Sequence, residues 1–423
     1  MTSKKQLKSR IRARMAKTGE RYAAARAHVA GSAAESVADR GWPLAGGTHP
    51  ESAALAALLR HAGAPIDEAL VFGIGGGIGA GYILWEFAHD DSRVVTMGFT
   101  HRWQYIATHP RGAAARLGVE LAEHTTGGAK GAAKALAERL PAMVWPDRYH
   151  VGYWHLPAFL DGHGGHPVVA YAIEDGRVRV DDRNTVPLTV AEQDFHRARA
   201  RVGSYKNLMI SVPRAEPVSD GVLRQAVLGG LAETVGHLSA GSDSFSLPAW
   251  RKWARMMTDR SAAKGWPTVF ADRVGLVRAL ASVWEGVSPF GMDGGSLRPL
   301  FADFLDRAAE IAELPALADE AGRWRGIGAA WQALGDAALP PDVPEFARLR
   351  ELTVAVTTAA VDGDEGADER ASAATELWEL RAELHRDCPV EDVEALFADL
   401  GGHLRGLHEA ETAGVAALRA ALE

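Results

Sequence analysis

The chain is poor in cysteine: its 423 residues include a single one, Cys388. One cysteine cannot close an intramolecular disulfide, which fits a reducing compartment. It lies in the motif RDCPVED without a neighbouring histidine, so it lacks the base that usually activates a thiol nucleophile. We therefore interpret Cys388 as a structural residue and expect no thiol chemistry from it.

Other patterns are missing as well. No apolar run approaches the roughly 18 residues that a membrane-spanning helix needs, and the basic N-terminus lacks the apolar core of a signal peptide. The sequence contains neither the HExxH metal motif nor a phosphate-binding GK[ST] loop. We expect a cytoplasmic protein that has no membrane partner and needs no cofactor.

The length and apolar content of the chain predict two domains. The length of 423 residues exceeds what one hydrophobic core usually serves. Apolar residues make up 47% of the chain, which is enough to form substantial cores. The best linker lies at 213–220, where proline and polar residues separate two differently patterned halves. The predicted limits are a basic N-terminal helical arm at 1–40, an α+β domain at 41–213 and an α-helical domain at 214–423.

The N-terminal arm concentrates positive charge on a chain whose net charge is −8. Residues 4–26 carry nine basic side chains and one acidic side chain, Glu20. Such an arm is typical of binding to nucleic acid, a membrane surface or an acidic carrier. The simpler explanation, which we favour, is an amphipathic helix that packs on its own protein. Nucleic acid is therefore not expected as a partner, and homo-oligomerisation stays open.

The half before the linker has the mixed periodicity of an α+β domain. Helices are predicted at 50–60, 102–117, 129–139 and 190–201. Strands are predicted at 69–74, 94–99, 119–123, 142–145, 167–173, 178–181 and 206–212. The turn Glu174–Asp175–Gly176 joins two of these strands in a hairpin.

The half after the linker reads as an all-α bundle. Its apolar periodicity predicts helices at 222–238, 247–258, 269–284, 297–311, 315–338, 345–361, 371–385 and 390–422. The breaks fall at glycine and proline sites and at the acidic loop 362–369. We expect this half to offer partner surfaces or a lid rather than catalytic groups.

A glycine-dense run, Gly73 to Gly81, gives the backbone unusual freedom. It lacks the strand–turn–helix context and the acidic residue that a dinucleotide fingerprint requires. Exposed backbone N–H groups in such a run can bind a carboxylate, a thioester oxygen or a pantetheine arm. The alternative is a bulged turn that packs on the first helix. The candidate substrate-binding residues here are Gly75, Gly76, Gly77 and Tyr82.

A histidine and an aspartate occupy the same end of the predicted hairpin. His166 opens its first strand and Asp182 follows its second, so the two side chains can meet. A carboxylate can hold an imidazole in one tautomer while the other ring nitrogen acts as a base. Asp181 is the competing carboxylate, because a shift of one residue exchanges the faces of a strand. We assign His166 and Asp182 as candidate catalytic residues.

Two further groups of residues could complete a site. His49 and Glu51 lie at the start of the first helix and join the catalytic candidates. The aromatic and histidine-rich loop 147–166 contributes the substrate-binding candidates Trp154, His155 and His163. A metal bound by the histidines of this loop is an alternative, but their spacing is unspecific and no metal is expected.

The residues just named resemble the butirosin biosynthesis protein H-like acyltransferase family. The resemblance covers about residues 45–340, and the glycine-rich segment is its most specific part. It lies in His49-Pro50-Glu51-Ser52, in the segment 72–82, and in His166 and Asp182. In the helical half it includes Trp284-Glu285, Gly294-Gly295, Arg298 and 301–305. The resemblance implies a papain-like (cysteine-peptidase-like) N-terminal domain followed by an all-α helical bundle domain.

The function that the resemblance implies is acyl transfer in specialised metabolism. In that family an acyl group passes from a carrier-protein thioester to an amine of the acceptor. The family pattern places cysteine where this chain has Pro50, so a covalent acyl-enzyme cannot form there. Ser52 is the nearest hydroxyl, but it points elsewhere around the helix. The resemblance therefore implies non-covalent amide formation with a small-molecule or peptide substrate.

Two other functions stay open at this point. A chain without the cysteine could be an inactive papain-like scaffold that binds a peptide, a carrier protein or a small ligand. It could also be a metal- or base-dependent tailoring enzyme on the same fold.

Overall fold

A computed structural model describes residues 41–87 and 92–423, and the basic arm at 1–40 lies outside the described residues. In chain order the helices are α1 (Pro50–Ala62), α2 (Glu68–Ile74), α3 (Thr108–Leu117), α4 (Ala129–Glu138), α5 (Glu192–Arg201), α6 (Asp220–Leu238), α7 (Pro248–Met256), α8 (Trp266–Val269), α9 (Leu276–Val287), α10 (Arg298–Ala312), α11 (Ala316–Ala338), α12 (Pro344–Val361), α13 (Ala367–Glu383) and α14 (Val393–Leu422). The strands are β1 (Tyr82–Phe87), β2 (Ser92–Met97), β3 (Ala122–His124), β4 (Ala142–Val144), β5 (Val168–Glu174), β6 (Arg177–Asp181), β7 (Leu188–Ala191) and β8 (Met209–Ser211). The chain is thus mixed helix and sheet, with a helical C-terminal region.

The described chain forms two compact units. The first contains residues 41–61, 122–212 and 355–374, and the second contains residues 62–121, 213–354 and 375–423. Each unit has its own core. The domain limits predicted from the sequence, 1–40, 41–213 and 214–423, stay a prediction.

The first unit is built on a six-stranded antiparallel sheet in the order β3-β8-β4-β5-β6-β7. Strands β5 and β6 form the predicted hairpin, and Asp175 and Gly176 at its turn both have positive φ. Two such residues match the type I′ turn that suits the twist of paired strands. Valines pack inward from both strands, where Val169, Val178 and Val180 are fully buried. The hairpin is therefore anchored in the core, and its open end is held in place.

One edge of this sheet is covered by the acidic loop that follows α12. The short helical turn Gly363–Gly366 lies beside β7, where both carboxylate oxygens of Asp364 accept hydrogen bonds from Thr189. The backbone N–H of Asp364 donates to the carbonyl of Pro187. An uncovered edge strand would be free to pair with another chain. The acidic loop therefore closes an edge, which the sequence pattern did not predict.

Several predicted elements are wrong or incomplete. Residues 69–74 were predicted as a strand but form α2, because Asp67 caps the helix by accepting a hydrogen bond from the backbone of Leu70. A short apolar run does not distinguish strand from helix by periodicity. The predicted helix at 190–201 begins at Glu192, because β7 occupies Leu188–Ala191. Strand β1 was not predicted at all.

The second unit consists of α2, α3, the hairpin β1–β2 and most of the helices that follow. Each of the eight helices predicted from the bundle pattern overlaps a helix of the structure, although the one predicted to begin at 269 begins at Leu276. The core is unusually rich in tryptophan; its fully buried indoles are those of Trp250, Trp253, Trp266, Trp324 and Trp331. No helix among the described residues is long and apolar enough to cross a membrane.

A buried ion pair lies within this core. Arg298 and Glu411 are both 0% exposed, and the guanidinium donates two hydrogen bonds of 2.8 Å to the carboxylate. The indoles of Trp250 and Trp331 also donate to Glu411. Further N–H groups of Arg298 donate to the carbonyls of Ser296 and Gly79. Desolvating such a pair is costly, and the surrounding hydrogen bonds offset that cost.

Candidate functional site

The open end of the β5–β6 hairpin brings His166 and Asp182 together. His166 lies two residues before β5, and its backbone N–H donates to the carbonyl of Pro146. Asp182 directly follows β6. The Nε2 of His166 lies 2.8 Å from Oδ1 of Asp182. His166 is 1% exposed and Asp182 is 9% exposed, so the contact is shielded from water.

The carboxylate of Asp182 has a full set of donors. The hydroxyl of Tyr153 donates to Oδ2 at 2.8 Å, and the guanidinium of Arg183 donates to Oδ1 at 3.1 Å. The backbone N–H of Asp182 donates to the side-chain oxygen of Asn184. Asn184 in turn donates to the carbonyls of Val180 and Val186, which fixes the chain after β6. These contacts leave the carboxylate little freedom to rotate.

The charges of the pair follow from these contacts. Burial raises the pKa of Asp182, but the attraction of His166 and Arg183 and the hydrogen bonds of His166 and Tyr153 outweigh it and hold the pKa at about 2. Burial lowers the pKa of His166, and the nearby Asp182 only partly offsets this effect. At neutral pH the pair is therefore a carboxylate beside a neutral imidazole.

The hydrogen bond to the carboxylate also decides the tautomer of His166. An ionised carboxylate can only accept, so Nε2 carries the proton and donates it to Asp182. The other nitrogen, Nδ1, then has a free lone pair. Within residues 41–87 and 92–423, no group hydrogen bonds to this buried Nδ1. An oriented neutral imidazole with an unused lone pair can accept a proton from a bound molecule.

Asp181, the alternative carboxylate, lies in a different environment. Its Oδ2 accepts a hydrogen bond from the indole of Trp42 at 3.0 Å, and its Oδ1 accepts one from the backbone of Arg183. Burial raises the pKa of Asp181 to about 6, although the Trp42 hydrogen bond lowers it. Adjacent residues of a strand face opposite ways, and the structure places Asp182 rather than Asp181 against His166.

The start of α1 carries the other two catalytic candidates. His49 accepts at Nδ1 from the hydroxyl of Ser52 at 2.6 Å and from its backbone N–H at 3.3 Å. These are the contacts of an N-cap side chain, which satisfies an otherwise unpaired N–H of the first helical turn. Pro50 is the first residue of the helix, a position that does not need an N–H. Glu51 accepts a hydrogen bond from the indole of Trp145 at 3.3 Å.

The candidates of the loop 147–166 differ in their surroundings. Trp154 is buried, and its ring lies perpendicular to that of His166 in a T-shaped contact, with centroids 6.2 Å apart. His155 and His163 are exposed. Of these three residues, the structure brings only Trp154 next to the His166–Asp182 pair.

This stretch of the chain is similar to a known family. Residues 49–183 match the family model described as butirosin biosynthesis protein H, N-terminal. The match begins at His49 and ends at Arg183, so it includes the complete His166–Asp182 pair. No curated protein matches the chain.

The matched segment also contains the glycine-rich run, where histidines rather than open space surround the backbone. All three candidate glycines are buried in the second unit. Gly76 has a φ of +110°, and a Cβ on it would lie 2.6 Å from Nδ1 of His101. At Gly75 a Cβ would overlap the ring of His109, and at Gly77 it would meet Thr234. Their role in substrate binding stays a prediction.

Tyr82, the last candidate of the glycine-rich run, is part of the tryptophan core of the second unit. Its hydroxyl accepts a hydrogen bond from the indole of Trp266 at 2.8 Å, and its ring stacks on Trp253. Burial raises the pKa of Tyr82 far above its ordinary value. These contacts give the residue a packing role, and its role in substrate binding remains untested.

Metal-binding chemistry has one candidate location among the described residues. Ligand atoms of Asp147, His150 and Asp161 lie within 4.8 Å of one another. Asp147 already accepts backbone N–H groups from three loop residues, and the guanidinium of Arg201 donates to Asp161 at 2.6 Å. These contacts give the three side chains a role in fixing the loop. The set is also different from the histidines singled out in the sequence.

The sequence analysis did not identify three side chains that contact the His166–Asp182 pair or fix its backbone. Arg183 and Asn184 follow Asp182 directly, so the polar run DDRN is a signal that could have drawn attention to them. Tyr153 is marked in the sequence only as an aromatic residue of the loop 147–166. No spacing rule links it to Asp182, because an irregular loop brings the two together.

Proposed function

We propose that this protein is an acyltransferase of specialised metabolism that forms an amide without a covalent acyl-enzyme. The family of residues 49–183 supports a role related to biosynthetic acyl transfer. The observation that carries the proposal is the contact of His166 with Asp182, which leaves Nδ1 of a neutral imidazole without a hydrogen bond to any described residue. We further propose that the α+β half is a papain-like scaffold.

In the proposed reaction, the nitrogen of an acceptor amine attacks the carbonyl carbon of an activated acyl donor such as a thioester. The new C–N bond forms as the amine loses a proton to Nδ1 of His166. The C–S bond then breaks, and the leaving thiolate takes this proton from the imidazolium. Asp182 stabilises the transient imidazolium through Nε2, as a carboxylate does in a catalytic triad. Because a thioester is already activated, holding the reactants beside a base can suffice.

A covalent route is disfavoured by the start of α1. Pro50 has no nucleophilic atom, and Ser52 is fully buried with its hydroxyl bonded to His49. Backbone N–H groups of the first helical turn, with the positive end of the helix dipole, are the best candidates for stabilising a developing oxyanion. We propose a carrier-bound or otherwise activated acyl donor and a small-molecule or peptide acceptor.

The second candidate function is a catalytically inactive scaffold that binds a carrier protein, a peptide or a small ligand. The observation that favours it is the burial of the pair, since His166 is 1% exposed. A base sealed from solvent can act only if a bound substrate or a local opening reaches Nδ1. Loss of the cysteine at residue 50 is consistent with this function too.

The test is a turnover assay on aminoacyl thioesters of N-acetylcysteamine, with glycinamide as the acceptor amine. Thiol release and amide formation are followed for the wild-type protein and for His166→Asn. We expect the variant to lose at least about 100-fold in rate, because a general base typically contributes 10²–10⁴-fold. Intact-mass spectra of the wild-type protein should contain no acyl adduct.

His196→Asn is the matched control. His196 is also partly buried and lies 3.4 Å from a carboxylate, that of Glu192, but belongs to the surface of α5. Its variant should retain the wild-type rate. Equal rates for His166→Asn and the wild type would refute the general base, and absence of turnover with every thioester would favour the binding scaffold. An acyl adduct would refute the non-covalent route.

A further inference from the structure

Arg183 connects the His166–Asp182 pair to the start of α1. Its Nε and Nη2 both donate to Oδ1 of Asp182, at 3.3 and 3.1 Å. Its Nη1 donates to the carbonyl of Thr48 at 3.1 Å. The guanidinium thus links the carboxylate to the residue just before His49, the cap of α1.

The backbone at Arg183 is bent to allow these contacts. Consecutive side chains of a strand point to opposite faces, so Arg183 would ordinarily point away from Asp182. It instead has a φ of +62°, the left-handed conformation, which turns its side chain back toward its neighbour. This conformation is unfavourable for a residue with a Cβ, because the Cβ crowds the backbone carbonyl. Such strain persists only where the surroundings impose it.

The guanidinium also lies against the imidazole. Its Nη2 is 3.4 Å from Nε2 of His166, because both nitrogens donate to the same oxygen, Oδ1 of Asp182. The side chain of Arg183 is only 12% exposed, so little water separates the two groups. A cation in this position opposes a second positive charge on the ring.

We infer that Arg183 is a positioning residue, which holds the His166–Asp182 pair against the start of α1 and keeps the imidazole neutral and ready to accept a proton. The inference rests on the proposed function only for its catalytic consequence. Its structural content is a charge–charge interaction within the first unit, which can be measured without any substrate.

Several charged groups act on His166 besides Arg183. Burial contributes most to its lowered pKa, Asp182 raises it, and Arg148 and Arg183 both lower it. Tyr153 faces the opposite oxygen of Asp182 and has a pKa well above its ordinary value, so it remains neutral. Replacing Arg183 by a neutral residue removes a cation that touches the ring, whereas Arg148 remains in every variant.

The experiment is an NMR titration of His166 in protein with labelled histidine, with the assignment made through His166→Asn. The variants are Arg183→Met, which removes the charge, and Arg183→Lys, which keeps it. We expect the pKa of His166 to rise by about one unit in Arg183→Met, since a like charge within about 4–6 Å disfavours protonation of the ring and its removal relieves that effect. In Arg183→Lys, which keeps the positive charge, the pKa of His166 should lie within about 0.3 units of its value in the wild type.

Arg179→Met is the matched control, because this residue lies on the same hairpin but pairs with Glu174. It should leave the pKa of His166 unchanged. Arg183→Gln repeats the measurement if the methionine variant is too unstable, since glutamine retains an amide donor. An unchanged pKa in a folded neutral variant, or failure of both neutral variants to fold, overturns the inference. Absence of turnover in the wild-type protein would refute only the proposed function and would leave this inference standing.

Discussion

Replacing Asp182 by asparagine should destabilise the protein in a way that depends on pH. Asparagine keeps the size of the side chain but removes the charge that His166, Arg183 and Tyr153 surround. The pKa of Asp182 is about 2 in the folded protein, against an ordinary value of 3.8. At about 1.4 kcal/mol per pKa unit, the folded environment favours the carboxylate by about 2–3 kcal/mol.

The sign follows from proton binding. Because the folded pKa is below the unfolded one, the stabilisation is fully present above about pH 4 and is lost as the pH falls toward 2. The free energy of unfolding of Asp182→Asn should therefore be about 2–3 kcal/mol below that of the wild type at pH 7. The difference between the two proteins should shrink as the pH decreases below 4.

The assay is urea denaturation of the wild type and the variant between pH 3 and pH 8. Asp181→Asn is the control, because the adjacent carboxyl has a raised pKa of about 6 and the opposite sign is expected. Ionisation of Asp181 destabilises the folded protein as the pH rises from about 4 to 6. Above pH 6, Asp181→Asn should therefore raise the free energy of unfolding by as much as about 3 kcal/mol. A pH-independent difference for Asp182→Asn would refute the reasoning.

Two further predictions concern the core of the second unit. Glu411→Gln should lower the free energy of unfolding by about 3–5 kcal/mol, because it leaves the buried guanidinium of Arg298 without its carboxylate. Its control is Glu313→Gln, at an exposed ion pair, which should change the free energy of unfolding by less than about 0.5 kcal/mol. Gly73→Ala should destabilise by about 1–3 kcal/mol or more, since its Cβ would overlap the ring of Phe304 in α10. Gly236→Ala, on an open face of α6, should be neutral or stabilising. Chemical denaturation measures all four, and equal costs within either pair would contradict the assigned packing.

Local signals made much of the architecture predictable. The turn at Asp175 and Gly176 marked the β5–β6 hairpin, because few residues adopt positive φ easily. The apolar period of the C-terminal half marked its helices, since each of those helices must bury one face. A pairing of His166 with one of the two aspartates, Asp181 or Asp182, could be expected from residue order alone, because a hairpin places its two strand ends side by side.

Other features depend on contacts between distant segments. Residues 69–74 are a helix rather than a strand, and Gly73 allows that helix to pack closely against α10. A glycine-rich run reads as an open loop until the rings of His101 and His109 are seen to fill the space beside it. The covering of β7 by Asp364 joins positions 175 residues apart, which no local pattern indicates.

The sequence by itself therefore determined the sulfur-free start of α1, the hairpin, and the presence of a histidine and two adjacent aspartates at its open end. These depend on residue type and on interactions between near neighbours along the chain. Only the tertiary structure decided that Asp182 rather than Asp181 faces the imidazole, that Tyr153 and Arg183 share the carboxylate, and that the pair is buried. Those outcomes depend on strand register, on one left-handed residue and on the path of an irregular loop, and packing of the whole unit fixes all three.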